Sequence, residues 1–407
     1  MEVSNTAVMK PLTAWDIIPG EKPLKRSVTV KRKQLIWEQL NDESLPNRSE
    51  LKIYKIIHLT SQILGILPLN SKFEKSKFWL IIAVILKIFE LCVLIFNLKM
   101  GVDHISEKVI SAVYSLNMSI LVSSFIKSIF HVILVYAYCD YWRKVIDCNK
   151  EKFPPKHSIR MFYISLVKFI LDFGYLMHQF DESLGGHDLL VGTLSATYNV
   201  LIGNIIIAHF CQNIEILTKQ IQVCESEIKK SKFILPKLKQ LTIRVNYLID
   251  LGENINEMFQ IQNLLLFPSS IIGFIGCLYT VIKTINFDPM GAFYNLIYGF
   301  SYIIQIGFTA FICEQFIEQV EKFNKSILYT IRKNTCNDFE IESMNERLFK
   351  KMRNNPPIDI NSELHFYCAN NRNIEFSVAG FFTLRYVLLV SMIGSGLTYL
   401  IITIQLG

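Results

Sequence analysis

The sequence predicts an all-α membrane protein with seven transmembrane helices, a cytoplasmic N-terminus and an extracellular C-terminus. Hydrophobic residues make up 51% of the chain and its mean hydropathy is +0.31, values above those usual for soluble domains. Seven apolar stretches each supply the roughly 20 residues that cross a bilayer core. The basic residues collect in the segments that this arrangement places inside the cell.

The seven predicted spans all follow an N-terminal region that has no continuous apolar core. They cover 78–98, 109–139, 160–180, 189–211, 262–285, 292–313 and 376–406. An eighth apolar stretch, 53–69, contains Lys55, His58 and Gln62 and ends in Gly-Ile-Leu-Pro. Such a short, interrupted stretch predicts an interfacial or half-inserted helix rather than a span.

Charge determines the predicted orientation. Of the 42 Lys and Arg residues, 34 lie in four predicted inner segments, whereas the outer loops hold only Lys99 and Lys108. This orientation is the reverse of that of G-protein-coupled receptors. It also accounts for the net charge of +7 through anionic inner-leaflet lipids, without nucleic acid as a partner. The inner segments are 1–77, 140–159, 212–253 and 314–373.

Helices 4–7 are predicted to extend below the membrane into a cytoplasmic anchor bundle. Apolar residues recur there at spacings of three and four, as on one face of a helix. We expect these stripes to be buried and subunits to meet mainly in this bundle. The stripes are Phe316, Val320, Phe323, Ile327 and Ile331, and Leu238, Leu241, Val245 and Leu248. The predicted parts are a largely disordered tail (1–50), an interfacial helix (51–77), helices 1–6 (78–313), anchor helices with a loop (314–373) and helix 7 (374–407).

Signatures of catalysis and of metal binding are absent from the sequence. The eight His residues form no H-x-x-x-H pair, and no C-x-x-C, P-loop or G-x-S-x-G motif occurs. We therefore predict neither an enzyme nor a metal or cofactor site. The nine Cys residues avoid the predicted outer loops, so no disulfide framework is expected. A secondary transporter remains an alternative, although no repeated halves are visible.

Polar residues within the spans carry most of the functional signal. Lys87 and Glu90 on the first span are spaced to pair along one face, as are Lys168 and Asp172 on the third. Aromatic walls with a few hydrogen-bonding groups are typical of small-molecule pockets, although tyrosines also favour membrane interfaces. The predicted pocket, in the outer half of the bundle, comprises Asp172, Tyr175, His178, Gln179, Thr197, Tyr198, Tyr294, Tyr298 and Tyr302.

The last span carries a weakly polar face. Its members recur at spacings of three and four, so they lie on one side of a helix. Such a stripe is typical either of close helix packing or of the wall of a water-filled pore, and periodicity alone leaves both open. The stripe consists of Ser391, Ser395, Thr398, Ile402 and Gln405.

The end of this span resembles a known motif. Thr398-Tyr399, five residues and then Gln405-Leu406 resemble the Thr-Tyr, five residues, Gln-Phe signature that ends insect gustatory receptors. The preceding FSVAGFFTLRYVLL is similar to the same family. The resemblance implies a homo- or hetero-tetrameric, ligand-gated cation channel in which helix 7 lines the pore. Thr398, Ile402, Gln405 and Leu406 would then form the pore and gate.

Two departures from the family pattern accompany the match. Leu406 replaces the usual Phe, and Arg385 stands where similar sequences often have an acid. Sugar receptors of the family tend to have Glu after Thr-Tyr, where this chain has Leu400.

The resemblance thus implies a bitter or plant-derived tastant, with fructose next. Monovalent and divalent cations would permeate, and the protein would lie among lipids in the plasma membrane of a sensory neuron. An insect odorant receptor subunit is the alternative.

Overall fold

We describe the fold from a computed structural model of the chain. It describes residues 50–70, 72–104, 108–149, 186–230, 235–286, 289–342, 372 and 374–406, with short helical pieces between 159 and 170. The tail that we predict to be disordered lies outside these residues, apart from Glu50.

The described residues form a helical bundle with one short hairpin. The helices are α1 (Glu50–Ile63), α2 (Lys77–His104), α3 (Lys108–Ala137), α4 (Cys139–Cys148), α5 (Gly186–Lys230), α6 (Leu235–Thr284), α7 (Pro289–Glu342) and α8 (Tyr386–Leu406). Strands β1 (Ser377–Val378) and β2 (Phe382–Thr383) pair antiparallel just before α8.

Three helices are much longer than a bilayer is thick. Helices α5, α6 and α7 contain 45, 50 and 54 residues. At a rise of about 1.5 Å per residue they are roughly 65–80 Å long, against a hydrocarbon core of about 30 Å. The prediction that these helices continue beyond the membrane is therefore confirmed.

The described helices include several that can cross a membrane. Four meet the length and hydropathy that a span requires, within Lys77–Phe96, Leu201–Lys230, Lys237–Thr284 and Pro289–Ile331. A fifth is obtained if Leu121–Ala137 and Cys139–Cys148, bent by 71°, form one span. Tyr386–Ile402 is a shorter apolar helix. Most of the predicted third span, 160–180, lies outside the described residues, so the number seven stays a prediction.

Helix α5 forms the centre of the bundle and α2 lies at its edge. Every residue from 201 to 217 is buried, although this stretch includes Asn204, His209 and Gln212. By contrast, α2 exposes large apolar side chains such as Phe78 and Phe89. An apolar surface of this kind suits contact with lipid, whereas a helix buried on all sides must pair its polar groups with neighbours.

The last helix begins later than the sequence predicts. The apolar run from residue 376 suggested one continuous span, but its first part folds into the β1–β2 hairpin, and α8 starts at Tyr386. The hairpin turn places Ala379 at φ +49° and Gly380 at φ +74°, a left-handed conformation that a helix does not tolerate. Gly380 adopts this backbone conformation easily because it has no Cβ, and a hydropathy profile does not detect such a turn.

The two apolar stripes are buried inside a single chain. Phe323 is 1% and Ile327 4% exposed, and the members on α6 are equally enclosed. The prediction of burial is confirmed. Because α5, α6 and α7 of the same chain already cover the stripes, these residues pack within one subunit, and the expectation that subunits meet in this bundle stays a prediction.

Candidate functional site

The C-terminal helix exposes the face that the sequence singled out. Ser391, Ser395, Thr398, Ile402 and Gln405 are all exposed, as are Val390, Leu397, Tyr399 and Ile401 outside this face, whereas Leu400 is 6% exposed. The hydroxyl groups of Ser391, Ser395 and Thr398 each donate to the carbonyl oxygen four residues earlier, at 2.9 Å. Because these hydroxyls are already satisfied, the face is compatible with either water or an apolar neighbour.

A groove runs between α8 and α6 along the edge of this face. It has a volume of about 340 Å³ and is mostly apolar. Its lining residues are Ile271, Ile275, Ser391, Met392, Ser395, Gly396 and Tyr399.

The segment before α8 is fixed to the bundle by polar contacts. The guanidinium of Arg372 binds the carboxylates of Asp250 and Glu253 on α6. Burial would lower the pKa of Arg372, but the hydrogen bond to Asp250 and the charges of Glu253 and Asp250 raise it above its ordinary value. The side-chain amide of Asn256 donates to the carbonyl oxygen of Ser377 at 3.0 Å. These contacts tie the hairpin, and so the start of α8, to α6.

Aromatic packing fixes the same segment from the other side. Phe376 is 1% exposed and makes edge contacts with Phe210 of α5 and Phe316 of α7, at ring distances of 6.4 and 5.4 Å. A displacement of α5 or α7 would therefore be transmitted to α8 through Phe376 and the hairpin.

Three of the predicted pocket residues form a ladder on α7. Tyr294 stacks on Tyr298 at 6.1 Å, and Tyr298 meets the edge of Tyr302 at 5.3 Å. Tyr302 is 5% exposed and packs so closely on Gly273 of α6 that a Cβ there would lie 2.7 Å from its ring. Tyr302 thus holds α6 and α7 together, while Tyr294 and Tyr298 are only half-buried.

Tyr198 has different neighbours from this ladder. Its hydroxyl donates to the carbonyl oxygen of Leu64 at 3.4 Å and also interacts with Glu90 of α2. Thr197 lies in α5, but its side chain is outside the described part of the structure, as are all four pocket residues of the third span, Asp172, Tyr175, His178 and Gln179. The convergence of the nine residues on one pocket therefore stays a prediction.

Two separate groups of buried polar contacts lie among the apolar helices. The predicted pair of Lys87 and Glu90 is confirmed, with 2.5 Å between Nζ and Oε1. Ser128 of α3 donates to the other oxygen of Glu90 at 3.3 Å. Gln305 of α7 donates to Asn204 of α5 at 2.5 Å, a link that sequence reasoning missed. In the sequence, each of the two amides can be recognised as a polar residue within an apolar span, but only the three-dimensional structure shows that they bind each other.

A second polar cluster joins four elements. The ring nitrogens of His131 and His209 lie 3.4 Å apart, and the other nitrogen of His209 lies 2.8 Å from the hydroxyl of Ser61 on α1. Trp142 of α4 makes an edge contact with the His209 ring at 5.0 Å. Within the described residues, no group of His, Cys, Asp and Glu has a geometry that could hold a metal ion. The cluster acts as a structural joint between α1, α3, α4 and α5.

Comparison with protein families provides the decisive observation. The family model described as "7tm Chemosensory receptor" matches residues 54–407. The chain belongs to this chemosensory receptor family. Membership of this family, and not the absence of catalytic motifs from the sequence, is the evidence that the protein is a multi-pass membrane receptor rather than an enzyme. Comparison with curated protein sequences gives no match.

Solved structures show the fold of this chemosensory receptor. An insect olfactory receptor from Machilis hrabei matches with a TM-score of 0.61 and 14% sequence identity, covering 88% of this chain and 98% of that one. The same olfactory receptor in complex with eugenol matches with a TM-score of 0.58 and 13% identity, with the same coverage. The receptor therefore has the fold of insect olfactory receptors at low sequence identity.

Proposed function

We propose that this receptor is a gustatory receptor, a ligand-gated, non-selective cation channel opened by a small-molecule tastant. One observation supports it most: α8 leaves Thr398, Ile402 and Gln405 exposed in a single chain, on the face that carries the C-terminal motif. A buried helix face would favour packing instead. In a homo- or hetero-tetramer, four such faces would surround a central axis.

The residues of this face suit permeation and closure. Carboxamides of Gln405 would replace part of an ion's hydration shell, while Ile402 and Leu406 would supply apolar rings that close by dewetting. Acidic residues of the outer loops would attract monovalent and divalent cations, although screening over about 8 Å at physiological salt limits that help. The protein would act in the plasma membrane of a sensory neuron.

Ligand binding is proposed in the outer half of the bundle, near Tyr294 and Tyr298. Both tyrosines are half-buried, so their rings are accessible to a small aromatic or plant-derived compound. The third-span residues Asp172, Tyr175, His178 and Gln179 remain part of this proposed pocket. Movement of α7 on binding would reach α8 through Phe316 and the hairpin.

Current recordings test this function directly. Cells that express only this chain should carry stimulus-evoked cation currents when they are tested with a panel of tastants. Gln405→Ala should change relative cation permeability, and Leu406→Ala should raise current in the absence of ligand, because each substitution alters one pore ring. Gln222→Ala, at an exposed glutamine of α5, is the matched control and should change neither.

Two outcomes would count against the pore assignment. If Gln405→Ala and Leu406→Ala reach the surface normally and permeation is unchanged, the motif serves packing only. If no stimulus evokes current in cells that express only this chain, the homotetrameric channel is contradicted, and a hetero-tetramer, a transporter or a scaffold would replace it.

An odorant-gated channel of the same architecture is the second candidate. The solved structures with the same fold are of an olfactory receptor, one of them with eugenol bound. Volatile odorants, eugenol among them, therefore belong in the ligand panel. A response to volatiles at lower concentrations than to tastants would favour this candidate.

A further inference from the structure

Three histidines from different helices meet inside the bundle. His131 of α3 and His209 of α5 are 0% and 1% exposed, and their ring nitrogens lie 3.4 Å apart. His58 of α1 lies close enough to His209 for its charge to act on that ring. The Nε2 atom of His209 also lies 2.8 Å from the hydroxyl of Ser61. These four residues form the histidine cluster, which the proposed channel does not use.

The hydrogen bonds of the histidine cluster assign its protons. The hydroxyl of Ser61 donates to the carbonyl oxygen of Ile57 at 2.7 Å, so it accepts from Nε2–H of His209. A neutral imidazole has one N–H, so Nδ1 of His209 in turn accepts from Nε2–H of His131. Nδ1 of His131 is then an unprotonated nitrogen, and it has no partner among the described residues.

An added proton would bind at Nδ1 of His131, where the surroundings disfavour a charge. The new N–H would have no acceptor among the described residues, and the ring is completely buried. The positive charge of Lys87 acts on the same ring. The packed cluster therefore requires neutral histidines, whereas histidines in water take up protons below about pH 6.5.

An aromatic cap closes the histidine cluster. The ring of Phe73, in the loop after α1, makes an edge contact with His58 at 4.6 Å and stacks on Trp142 of α4 at 6.4 Å. Trp142 in turn contacts His209 at 5.0 Å. Phe73 has a φ of +59°, a left-handed conformation that is strained in a residue with a Cβ. Because of this strain, the cap is the contact that opens most easily.

The surrounding turns supply no counter-ion for a protonated histidine among the described residues. Glu90 is already bound by Lys87 at 2.5 Å and by Ser128 at 3.3 Å, and Glu215 lies beside Cys211. The acids of α4, of α6 and of the cap loop are exposed. The charged residues on these turns are Lys55 of α1, Lys72 and Glu74 beside the cap, Lys87 and Glu90 of α2, Lys127 of α3, Asp140 and Arg143 of α4, Glu215 of α5 and Glu257 of α6.

Ring contacts connect the histidine cluster to the C-terminal helix. His131 contacts Phe259 of α6 at 5.4 Å, and Phe259 contacts Phe210 of α5 at 5.3 Å. Phe210 follows His209 in the chain and contacts Phe376, just before the hairpin, at 6.4 Å. A rearrangement of the two histidines would therefore be transmitted to the start of α8.

We infer that the histidine cluster is an acid-sensitive latch, which proton uptake opens by releasing the Phe73 cap and loosening the contacts that lead to α8. The predicted orientation places the cap loop and α4 on the inner side, so the protons come from the cytoplasm. A membrane-permeant weak acid, which lowers the pH inside the cell, would be the stimulus. Opening is a property of the fold, whereas its effect on current rests on the proposed function.

The pH range of opening follows from the histidine beside the cap. Burial lowers the pKa of His58 from 6.5 to about 4. Such a histidine leaves the packed form unaffected above about pH 6.5 and destabilises it increasingly as the pH falls towards about 4. Acid therefore favours the opened form, in which the imidazole takes up a proton.

Fluorescence of Trp142 in the purified full-length protein tests the latch. Replacing Trp15, Trp37 and Trp79 with Phe leaves Trp142, which is 2% exposed, as the sole tryptophan. As the pH falls from about 7.5 to about 4.5, its emission should shift to the red and acrylamide should quench it more, because opening exposes the indole to water. The change should be reversible, and circular dichroism should show unchanged helix content.

Substitution of the histidines identifies the groups that take up protons. His131→Gln should lower the midpoint of the fluorescence change by roughly 0.5 pH unit, because the amide can replace Nε2–H but does not take up a proton. His58→Gln should act in the same direction and provides the test if His131→Gln does not fold. His187→Gln, in the predicted outer loop, is the matched control and should leave the midpoint unchanged.

Three fluorescence results would overturn the latch. The first is no change at Trp142 over the whole pH range. The second is a change that accompanies loss of helix content, since the whole protein would then unfold. The third is the wild-type midpoint in both His131→Gln and His58→Gln.

Inside-out patches test the effect on current. Lowering the pH on the inner side from about 7.4 to about 6.0 should reduce ligand-evoked current, and less so in His131→Gln, because the loosened contacts no longer carry movement of α5 to α8. The same change on the outer side should have no effect. Equal sensitivity of the wild type and His131→Gln to inner acid, or none in either, would overturn the link to α8.

The two sets of measurements separate the latch from the proposed function. If the fluorescence of Trp142 responds as described and no stimulus evokes current, the latch stands and the proposed function fails. If stimuli evoke current but Trp142 does not respond to acid, only this inference fails.

Discussion

Single polar residues within the membrane bundle determine which helices pair. Gln305 donates to Asn204 at 2.5 Å, and both residues are about 95% buried. Hydrogen bonds between membrane helices stabilise by about 0.6 kcal/mol on average and about 1.7 kcal/mol at most, because the separated helices find other partners. The pair therefore specifies how α5 and α7 align more than it stabilises the fold.

Asn204→Leu should lower the melting temperature of the purified protein by a small but measurable amount. The expected loss is roughly 0.5–1.7 kcal/mol, because the Gln305 amide is left unpaired. The double substitution with Gln305→Leu should cost less than the sum of the two single changes. Asn324→Leu, at a half-buried residue of α7, serves as the control. Strictly additive losses would show that the two amides are not coupled.

At the scale of whole elements, the spacing of apolar residues predicts which face of a helix is buried as well as where the helix lies. The stripe on α7 is buried at every position, as its spacing indicates. The same spacing does not reveal whether the covering surface belongs to the same chain or to a neighbour, because both look alike in a sequence. Only the fold shows α5 and α6 of the same chain against it.

Phe323→Asp with Ile327→Asp should therefore prevent folding of the chain itself rather than dissociate an oligomer. Burying two carboxylates in an apolar stripe costs several kcal/mol each. Fluorescence-detected size exclusion should show loss of the folded species. Tyr329→Asp, at a 67% exposed position of the same helix, should leave folding intact. A folded monomer in the double variant would instead restore the stripe to the subunit interface.

Hydropathy alone does not predict the residue at which α8 begins. Residues 377–383 are as apolar as a span, yet they form a hairpin because Ala379 and Gly380 adopt positive φ. The ion pairs of Arg372 with Asp250 and Glu253 join positions more than one hundred residues apart in sequence. No local pattern contains that information. The exposure of the weakly polar face of α8 agrees with its spacing, but the exposure of Val390, Leu397 and Tyr399 outside that face does not follow from it.

At the scale of the whole molecule, the predicted orientation, with the N-terminus inside the cell, rests on the excess of Lys and Arg in the predicted inner segments. An epitope added after Gly407 should be stained on intact cells, and one added before Met1 should be stained only after permeabilisation. Tags on a protein of known orientation, expressed in the same cells, provide the control. The reverse pattern would contradict the predicted topology and place the C-terminal motif on the inner side.

The proposed pore predicts which side of α8 contacts water and which side packs on the bundle. If four copies surround an axis with α8 innermost, the exposed face must contact water, and the buried face must not. Thr398, Ile402 and Gln405 would line the path, whereas Leu389, Ile393 and Leu400 would remain packed on α6 and α7. The alternative, helix packing through the same stripe, would leave both faces dry.

Cysteine accessibility along α8 tests this account most directly. Each residue from Leu389 to Gln405 is replaced in turn by cysteine, and a small, positively charged thiol reagent is applied during ligand-evoked current, with the wild type as the baseline for native cysteines. The account predicts block at Ser391, Ser395, Thr398, Ile402 and Gln405, and none at Leu389, Ile393 or Leu400. Block without helical periodicity, or unmodified current at all five exposed positions in well-expressed variants, would contradict it and place the pore elsewhere.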